Sequence, residues 1–447
     1  MRTAGISIKK INTDGCRFEG KYFLNDNSYL SMLIENLMDT RELSEIAEVF
    51  NPPVFKRQFC SKTRRAVPYY QSSDVQNSSE VSNVYVFGGQ AARLNLLVHS
   101  GDILVTGFGT IGNVRLVNRH QDGVCYANNV CRVRIKNGEK RGCIYAFLSS
   151  KYGKAQLNKN ASGSVVRYIE SPGIKKILIP RFTQFFIEKI DGMIQESSRL
   201  REEASEALKA VHNRFADEIS IKLKPISHSI NIREITSLKG KRFEGAIYTE
   251  KAKAFLDAIA EAFDYKTVQE LTTNIFTQNI FKREYVENGH PFLMGADILK
   301  AIPTATKYIS YRQASKKDEL FVKEGWILMT CSGSVGDVVF VDKQLEPFIY
   351  THDLIRIVPK DYKTQLYLFG FLSSPIGKEL VNHFKYGSVI QHLESFHVAD
   401  IPVPMLNEYF DEIVENVKKY TESVYQAKVL ELEAISLVET EIEKWSK

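Results

Sequence analysis

The chain is poor in the residues that mark several protein classes. Six cysteines among 447 residues, with no Cys-x-x-Cys pair, argue against a disulfide scaffold and a structural zinc, and fit a reducing cytoplasm. No His-x-x-x-His pair, no Gly-x-x-x-x-Gly-Lys-Ser/Thr loop and no serine-centred elbow is present. Apolar runs are only strand-sized, the best at residues 143–148, so no membrane span is expected. The first ten residues lack the apolar core of a signal peptide. A net charge of +6 is mild for this length and permits nucleic acid as a partner without demanding it. What remains is ordinary globular composition, 44% hydrophobic and 25% charged, enough for more than one core. At about 100–200 residues per domain, roughly two to four domains are expected.

The sequence repeats itself at an offset of 224 residues. Gly101-Asp-Ile-Leu-Val-Thr-Gly-Phe-Gly-Thr-Ile-Gly112 lies over Gly325-Trp-Ile-Leu-Met-Thr-Cys-Ser-Gly-Ser-Val-Gly336, and the alignment continues without a gap to Pro180 and Pro404. Phe147-Leu-Ser-Ser-x-x-Gly-Lys154 recurs as Phe371-Leu-Ser-Ser-x-x-Gly-Lys378, and Gly163-Ser-Val165 as Gly387-Ser-Val389. Earlier matches slip by one or two residues: Arg17-Phe-Glu-Gly20 with Arg242-Phe-Glu-Gly245, Phe55-Lys-Arg57 with Phe281-Lys-Arg283, and the stretch from Pro68 with that from Pro291. Between Lys56 and Tyr70 the copies barely match. One domain is present twice, with a shared frame and a variable segment.

Each copy reads as α/β (α+β). Helical stretches are expected at residues 29–39, 45–49 and 144–158, with strands at 103–106, 114–117 and 130–135. After each copy comes a long helix. Apolar or small residues at Ile187, Ile190, Ile194, Ser197, Arg201, Ala204, Leu208, Val211 and Phe215 follow a 3-4 spacing with polar interruptions, the seam of a coiled coil. Pro225 closes it. The tail repeats the pattern at Phe410, Ile413, Val417, Tyr420, Val424 and Ala427, then shifts phase to Leu430, Ala434 and Leu437. The expected layout is residues 1–182 for the first domain, 183–225 for a central helix, 226–406 for the second domain and 407–447 for a terminal helix. Two such helices can pair antiparallel, which sets the copies apart in a pseudo-two-fold arrangement.

Two motifs invite an enzymatic reading. Gly107-x-Gly109-x-x-Gly112 follows a strand as a dinucleotide or S-adenosylmethionine loop would. The next residues are strand-like, however, whereas a phosphate-binding loop must open a helix, and copy two carries Cys331 at the first glycine. A tight turn between two strands fits better. Asn51-Pro-Pro-Val54 resembles the Asn-Pro-Pro-aromatic motif of amino-methyltransferases, but it lacks the aromatic that stacks on a flipped base and has no counterpart in copy two. His383, His392 and His397 cluster only in copy two, where a structural role outweighs a metal site. No catalytic residue, metal or cofactor is assigned.

The variable segment suits DNA. Lys56, Arg57, Lys62, Arg64 and Arg65 fall within ten residues, with Phe59, Tyr69 and Tyr70 nearby. Cations neutralise phosphate, and an arginine fork matches guanine O6 and N7. Lys56, Arg57, Lys62, Arg64, Arg65 and Tyr69, with Lys282 and Arg283 of copy two, are the candidate DNA contacts. A solvated surface loop is the competing account.

The doubled layout, the Gly-Asp-Ile-Leu-Val-Thr-x-x-Gly-x-Ile-Gly block, the Arg-Phe-Glu-Gly and Gly-Ser-Val…Ile-Pro flanks and the two heptad helices resemble the specificity subunit of Type I restriction-modification systems. Trp326, in place of an acidic residue, and Cys331 depart from that family's pattern. The resemblance implies two target-recognition domains, each reading one half of a split double-stranded DNA site. It also implies docking, through spacer helices carrying Ile187, Ile190, Ile194, Leu208, Val211, Val417 and Val424, onto two modification subunits that hold the adenine methyltransferase site. Restriction subunits would join through them, and the chain itself would be non-catalytic. The alternatives are a stand-alone permuted S-adenosylmethionine-dependent DNA adenine methyltransferase and a DNA-binding repressor.

Overall fold

The computed structural model describes residues 26–37, 39–78, 84–161, 167–223, 250–315, 318–387 and 389–445, with Ile8 and Ser82 as single positions. The Arg17 and Arg242 motifs, Gly163-Ser-Val165, Ser388 and Pro225 lie outside the described residues. The chain forms two compact units, residues 1–202 with 426–447, and residues 203–425.

The first unit runs α1 (Asp26–Glu35), β1 (Thr40–Glu42), α2 (Leu43–Ile46), β2 (Ala47–Phe50), β3 (Phe59–Cys60), β4 (Ala66–Tyr70), β5 (Tyr85–Phe87), α3 (Gly88–Arg93), β6 (Ile103–Thr106), β7 (Val114–Leu116), β8 (Cys125–Tyr126) and β9 (Val130–Ile135). It continues through α4 (Arg141–Ser149), α5 (Lys151–Lys159), α6 (Ser171–Lys175) and β10 (Leu178–Pro180) into α7 (Gln184–Ser220). A main sheet has the order β2-β9-β6-β7, a second sheet β3-β5-β4-β8, and β1 pairs with β10. All pairings are antiparallel except β4 with β8. Strand β6 lies between β9 and β7 with all four residues buried, which is why its run is apolar throughout rather than alternating.

The second unit holds α8 (Glu250–Ala262), β11 (Tyr265–Thr267), α9 (Val268–Leu271), β12 (Thr272–Thr277), β13 (Tyr285–Val286), β14 (His290–Leu293), β15 (Lys307–Ile309), α10 (Tyr311–Ala314), β16 (Ile327–Thr330), β17 (Val338–Phe340), β18 (Ile349–Tyr350) and β19 (Leu354–Pro359). Then follow α11 (Tyr362–Ser373), α12 (Pro375–Phe384), α13 (Ser395–Ala399), β20 (Pro402–Pro404) and α14 (Phe410–Trp445), which from residue 426 on belongs to the first unit, just as α7 beyond residue 202 belongs to the second. Its sheets are β12-β19-β16-β17, β13-β15-β14-β18 and β11-β20, so every strand occupies the place of the strand numbered ten lower. The fold is α+β, duplicated.

The Phe-Leu-Ser-Ser-x-x-Gly-Lys motif has a mechanical reason. The helix expected over 144–158 is two helices, α4 and α5, broken at Ser150, whose Oγ accepts from Gly153 N at 3.3 Å. Ser374 does the same for Gly377 N at 3.0 Å. A Cβ on Gly153 or Gly377 would fall 2.3 or 2.2 Å from the carbonyl oxygen of Phe147 or Phe371, so only glycine lets the chain turn there. The helix expected at 45–49 is a single turn, α2. Its last residues join β2 instead, because the buried–exposed–buried pattern of Ala47, Glu48 and Val49 fits pairing with β9.

In α7 the buried line is Ile190, Ile194, Ser197, Leu200, Ala204, Ala207, Val211, Phe215 and Ile219, with Ile187, Arg201 and Leu208 half-buried beside it. In α14 the expected phase shift is absent. The buried line passes through Ile413, Val417, Ser423, Ala427, Glu431, Ala434, Val438 and Ile442, leaving Val424, Leu430 and Leu437 half-buried. A glutamate holds the seam position that apolar spacing would assign to leucine. Within the first unit the helices run antiparallel: Phe182, just before α7, meets Trp445 at 5.2 Å, while Ser197 Oγ donates to Ala427 O at 2.8 Å.

Candidate nucleic-acid interface

Residues 55–65 leave β2, form the short edge strand β3 and enter β4. Lys56, Arg57, Lys62, Arg64 and Arg65 are all exposed, so the loop presents five cations to solvent. Tyr69 is not among them at the surface. It is 2% exposed beneath the loop, with Phe55 and Phe59 edge-on at 6.4 and 5.8 Å and the Arg57 guanidinium 6.0 Å from its ring centre. Burial raises its hydroxyl pKa, with Arg57 opposing. Tyr69 therefore supports the loop from below, which a burial-blind sequence reading could not separate from an exposed aromatic contact. The carbonyl of Arg65 accepts from Gly88 N at 2.7 Å, tying the loop's end to α3.

In the second unit the matching segment runs through residues 279–286. Lys282 is exposed, but Arg283 is half-buried: its Nη2 lies 3.3 Å from Thr351 Oγ1 and 3.1 Å from His352 Nδ1, and its guanidinium stands 5.3 Å from the Phe292 ring centre. Phe292 aligns with Tyr69, so both units set an arginine over an aromatic at this place. The second unit is less cationic here and more aromatic. Tyr285, Tyr308 and Tyr311 are 46%, 36% and 59% exposed, and Lys307 Nζ sits 5.1 Å from the Tyr285 ring centre. Tyr308 and Tyr311 fall in the segment from Lys307 to Gln313, which carries no cation cluster, and Tyr285 lies two residues after Arg283.

The enzymatic motifs have other uses. The glycine motif is the turn joining antiparallel β6 and β7, registered Ile103 to Leu116 and Val105 to Val114, with Gly109 and Gly112 at φ of 74° and 81°. Asn51 spends its amide on the chain: Nδ2 donates to Asn128 O at 3.2 Å, and Oδ1 accepts from Ser171 N at 2.9 Å. His383 and His397 are buried among aromatics, His397 stacking on Phe384 at 6.0 Å. Among the described residues no group of three His, Cys, Asp or Glu side chains could hold a metal ion, and no helix is long and apolar enough to cross a membrane.

The sequence reading overlooked a pair of buried cations at equivalent positions, Arg132 on β9 and Arg356 on β19, both 0% exposed. Arg132 donates to the carbonyls of Leu96 at 2.9 Å, Tyr126 at 2.7 Å, Ala127 at 2.8 Å and Val130. Arg356 donates to Leu354 O at 3.1 Å and Gln278 Oε1 at 3.0 Å. Burial lowers each guanidinium pKa to about 10, which leaves both charged at neutral pH. The 224-residue repeat marked the pair without showing that it is buried.

Fold and loops define a tandem α+β recognition protein built on one repeated frame. The family model for the Type I restriction modification DNA specificity domain matches residues 35–180 and again 260–434. The chain belongs to that family, carries two copies of its domain, and is a DNA specificity subunit of the Type I kind. Among solved structures it is similar to the S subunit of a Type I system from M. genitalium, with 14% identity, TM-score 0.34, and 90% of this chain and 94% of that one covered. It is also similar to the HsdS subunit from Thermoanaerobacter tengcongensis, with 16% identity, TM-score 0.28, and coverage of 91% and 95%. Comparison with curated proteins returns no match.

Proposed function

We propose that the chain reads a bipartite double-stranded DNA target, one half-site per domain. In this reading it is non-catalytic and directs adenine methylation by two modification subunits, and cleavage by restriction subunits, in the cytoplasm. The domains are residues 1–182 and 226–406, and the segments 183–225 and 407–447 are the spacers that fix half-site separation and dock the partners. The exposed residues Lys56, Arg57, Lys62, Arg64, Arg65 and Lys282 contact DNA, while Tyr69 and Arg283 hold the contacting loops in place. One observation carries this reading: strand-for-strand duplication of a frame whose equivalent loops differ in charge and aromaticity. A shared frame with unlike loops suits two unlike half-sites. A stand-alone methyltransferase is disfavoured because the Asn51 amide is bonded at both ends and the glycine motif opens a strand.

The test is to express the chain with its neighbouring gene products and map methylated adenines across a genome. Two half-sites about one helical turn apart, on the order of 10 bp, are expected. Deleting the heptad 198–204 shortens α7 by roughly 10 Å and keeps its seam in phase, so the spacer should change by a few base pairs while both half-sites persist. Exchanging segments 50–75 and 275–300 should change the half-sites at constant spacing. New half-site bases at the old spacing after the heptad deletion would overturn the ruler.

A further inference from the structure

In both units a glutamine from outside the variable loop bonds to the loop's backbone. Gln90 lies in α3, directly after β5, and Gln313 in α10, just after β15, at an offset of 223 residues. Gln313 Nε2 donates to Lys282 O at 2.5 Å, and Gln313 Oε1 accepts from Glu284 N at 3.0 Å. The amide thus binds two backbone groups two residues apart, as a neighbouring strand would. Its own backbone is fixed in turn, since Gln313 N donates to Ser310 Oγ at 3.2 Å at the start of α10. In the first unit Gln90 Nε2 donates to Lys56 O at 3.4 Å, the carbonyl matching that of Lys282. Gln90 Oε1 is buried with no hydrogen-bond partner, so only half of the clamp is closed there.

We propose that Gln90 and Gln313 are positioning residues for recognition: each fixes the backbone of the loop that meets DNA, and thereby which bases its unit accepts. The proposal rests on these loops being the DNA contacts. Neither glutamine touches DNA in this scheme. Loop composition can then vary freely, because the clamp binds backbone and is indifferent to the side chains it carries. The closed clamp makes the second loop the stiffer of the two.

The test uses the full chain assembled with its modification subunits. Gln313→Met keeps the side-chain length and removes both bonds; Gln313→Glu keeps the acceptor for Glu284 N. Amide exchange at residues 282–284 should speed up in Gln313→Met and less so in Gln313→Glu, with the melting temperature little changed. Methylation at the cognate second half-site should fall about tenfold relative to single-base variants of it, the scale set by losing one or two net hydrogen bonds, with first half-site selectivity untouched. Gln90→Met should act on the first half-site alone and more weakly. Unchanged exchange at 282–284 overturns the clamp and leaves the recognition reading intact. Faster exchange with unchanged selectivity shows that the loop is not the reader, which overturns the positioning role along with that assignment.

Discussion

The two units solve one architectural problem with different chemistry. On β9 of the first main sheet, Arg134 lies over Phe50 of the neighbouring β2 at 5.5 Å and forms two bonds of 3.0 Å to Asp102. The second unit has Val358 and Trp326 at those positions, and Trp326 packs edge-on to Phe276 at 6.1 Å. An ion pair on a ring has been exchanged for an indole on a ring, and this accounts for the missing acidic residue after Gly325. The helix seam differs in the same way. In the first unit Tyr145 donates to Glu431, which also takes Arg201 at 2.7 Å. At the position of Tyr145 the second unit has Phe369, stacked on Tyr420 at 5.6 Å. What stays constant is strand order, the serine caps, the turn glycines and the buried arginine. These set the frame; the packing between them is free to be polar or apolar.

Breaking the frame should cost most. Arg132→Met strips four buried carbonyls of a donor and is expected to destabilise the first unit by about 3–5 kcal/mol. Arg356→Met, which loses two bonds, should cost the second about 2–3 kcal/mol. Trp445 lies in the first unit and Trp326 in the second, so urea unfolding of single-tryptophan variants reads them separately. Equal losses would remove the distinction between the two arginines.

Next comes the polar seam. Glu431→Leu removes the acceptor shared by Tyr145 and Arg201 and should cost about 2–3 kcal/mol, whereas adding Tyr145→Phe and Arg201→Leu should restore most of it. Thermal melting of the single and triple variants decides this. If the triple variant melts as low as the single, the seam depends on its polar groups for more than mutual pairing.

Acid should separate the units further. His212, against Ser373 Oγ at 3.0 Å in the second unit, has its pKa lowered to about 4 by burial, with Lys378 adding to the effect. The unfolded chain binds this proton near pH 6.5 and the folded chain only near 4. Stability is therefore lost as pH falls through that window, at up to about 1.4 kcal/mol per unit. His212→Gln should flatten that slope in the Trp326 signal and leave the Trp445 signal unchanged.

The smallest expected effects on the fold are those at the loops. Arg64→Ala with Arg65→Ala should leave melting unchanged, weaken DNA binding at one half-site and lower the salt slope by about one to two units. Lys282→Ala should lower it by less than one. Equal slopes for both would contradict the charge difference between the loops.

Much of this frame could be read in the sequence because repetition exposes it: the doubled glycine block, the Ser-Ser-x-x-Gly motif and the 3-4 spacing each mark a backbone constraint. What stayed hidden was burial. Tyr69 and Tyr308 are both tyrosines near a basic residue, and only tertiary packing places one at 2% exposure and the other at 36%. Glu431 was passed over because a heptad pattern counts apolar residues, so a carboxylate satisfied by tyrosine and arginine looked like a shift of phase. Gln90 and Gln313 act through backbone groups, which leave no trace in side-chain type.

The terminal helix has a consequence for synthesis. Ala434, Val438 and Ile442 pack into the same core as Ile103, Val133 and Phe147, and Lys151 bonds to Glu443 across 292 residues of chain. A domain whose strands leave the ribosome first cannot close its core until the last helix emerges. At about 5–20 residues per second, that leaves its apolar face open for tens of seconds. A transcript cut short before residue 426 would yield an intact second unit and a first unit with an exposed core, a product that quality-control proteases can distinguish.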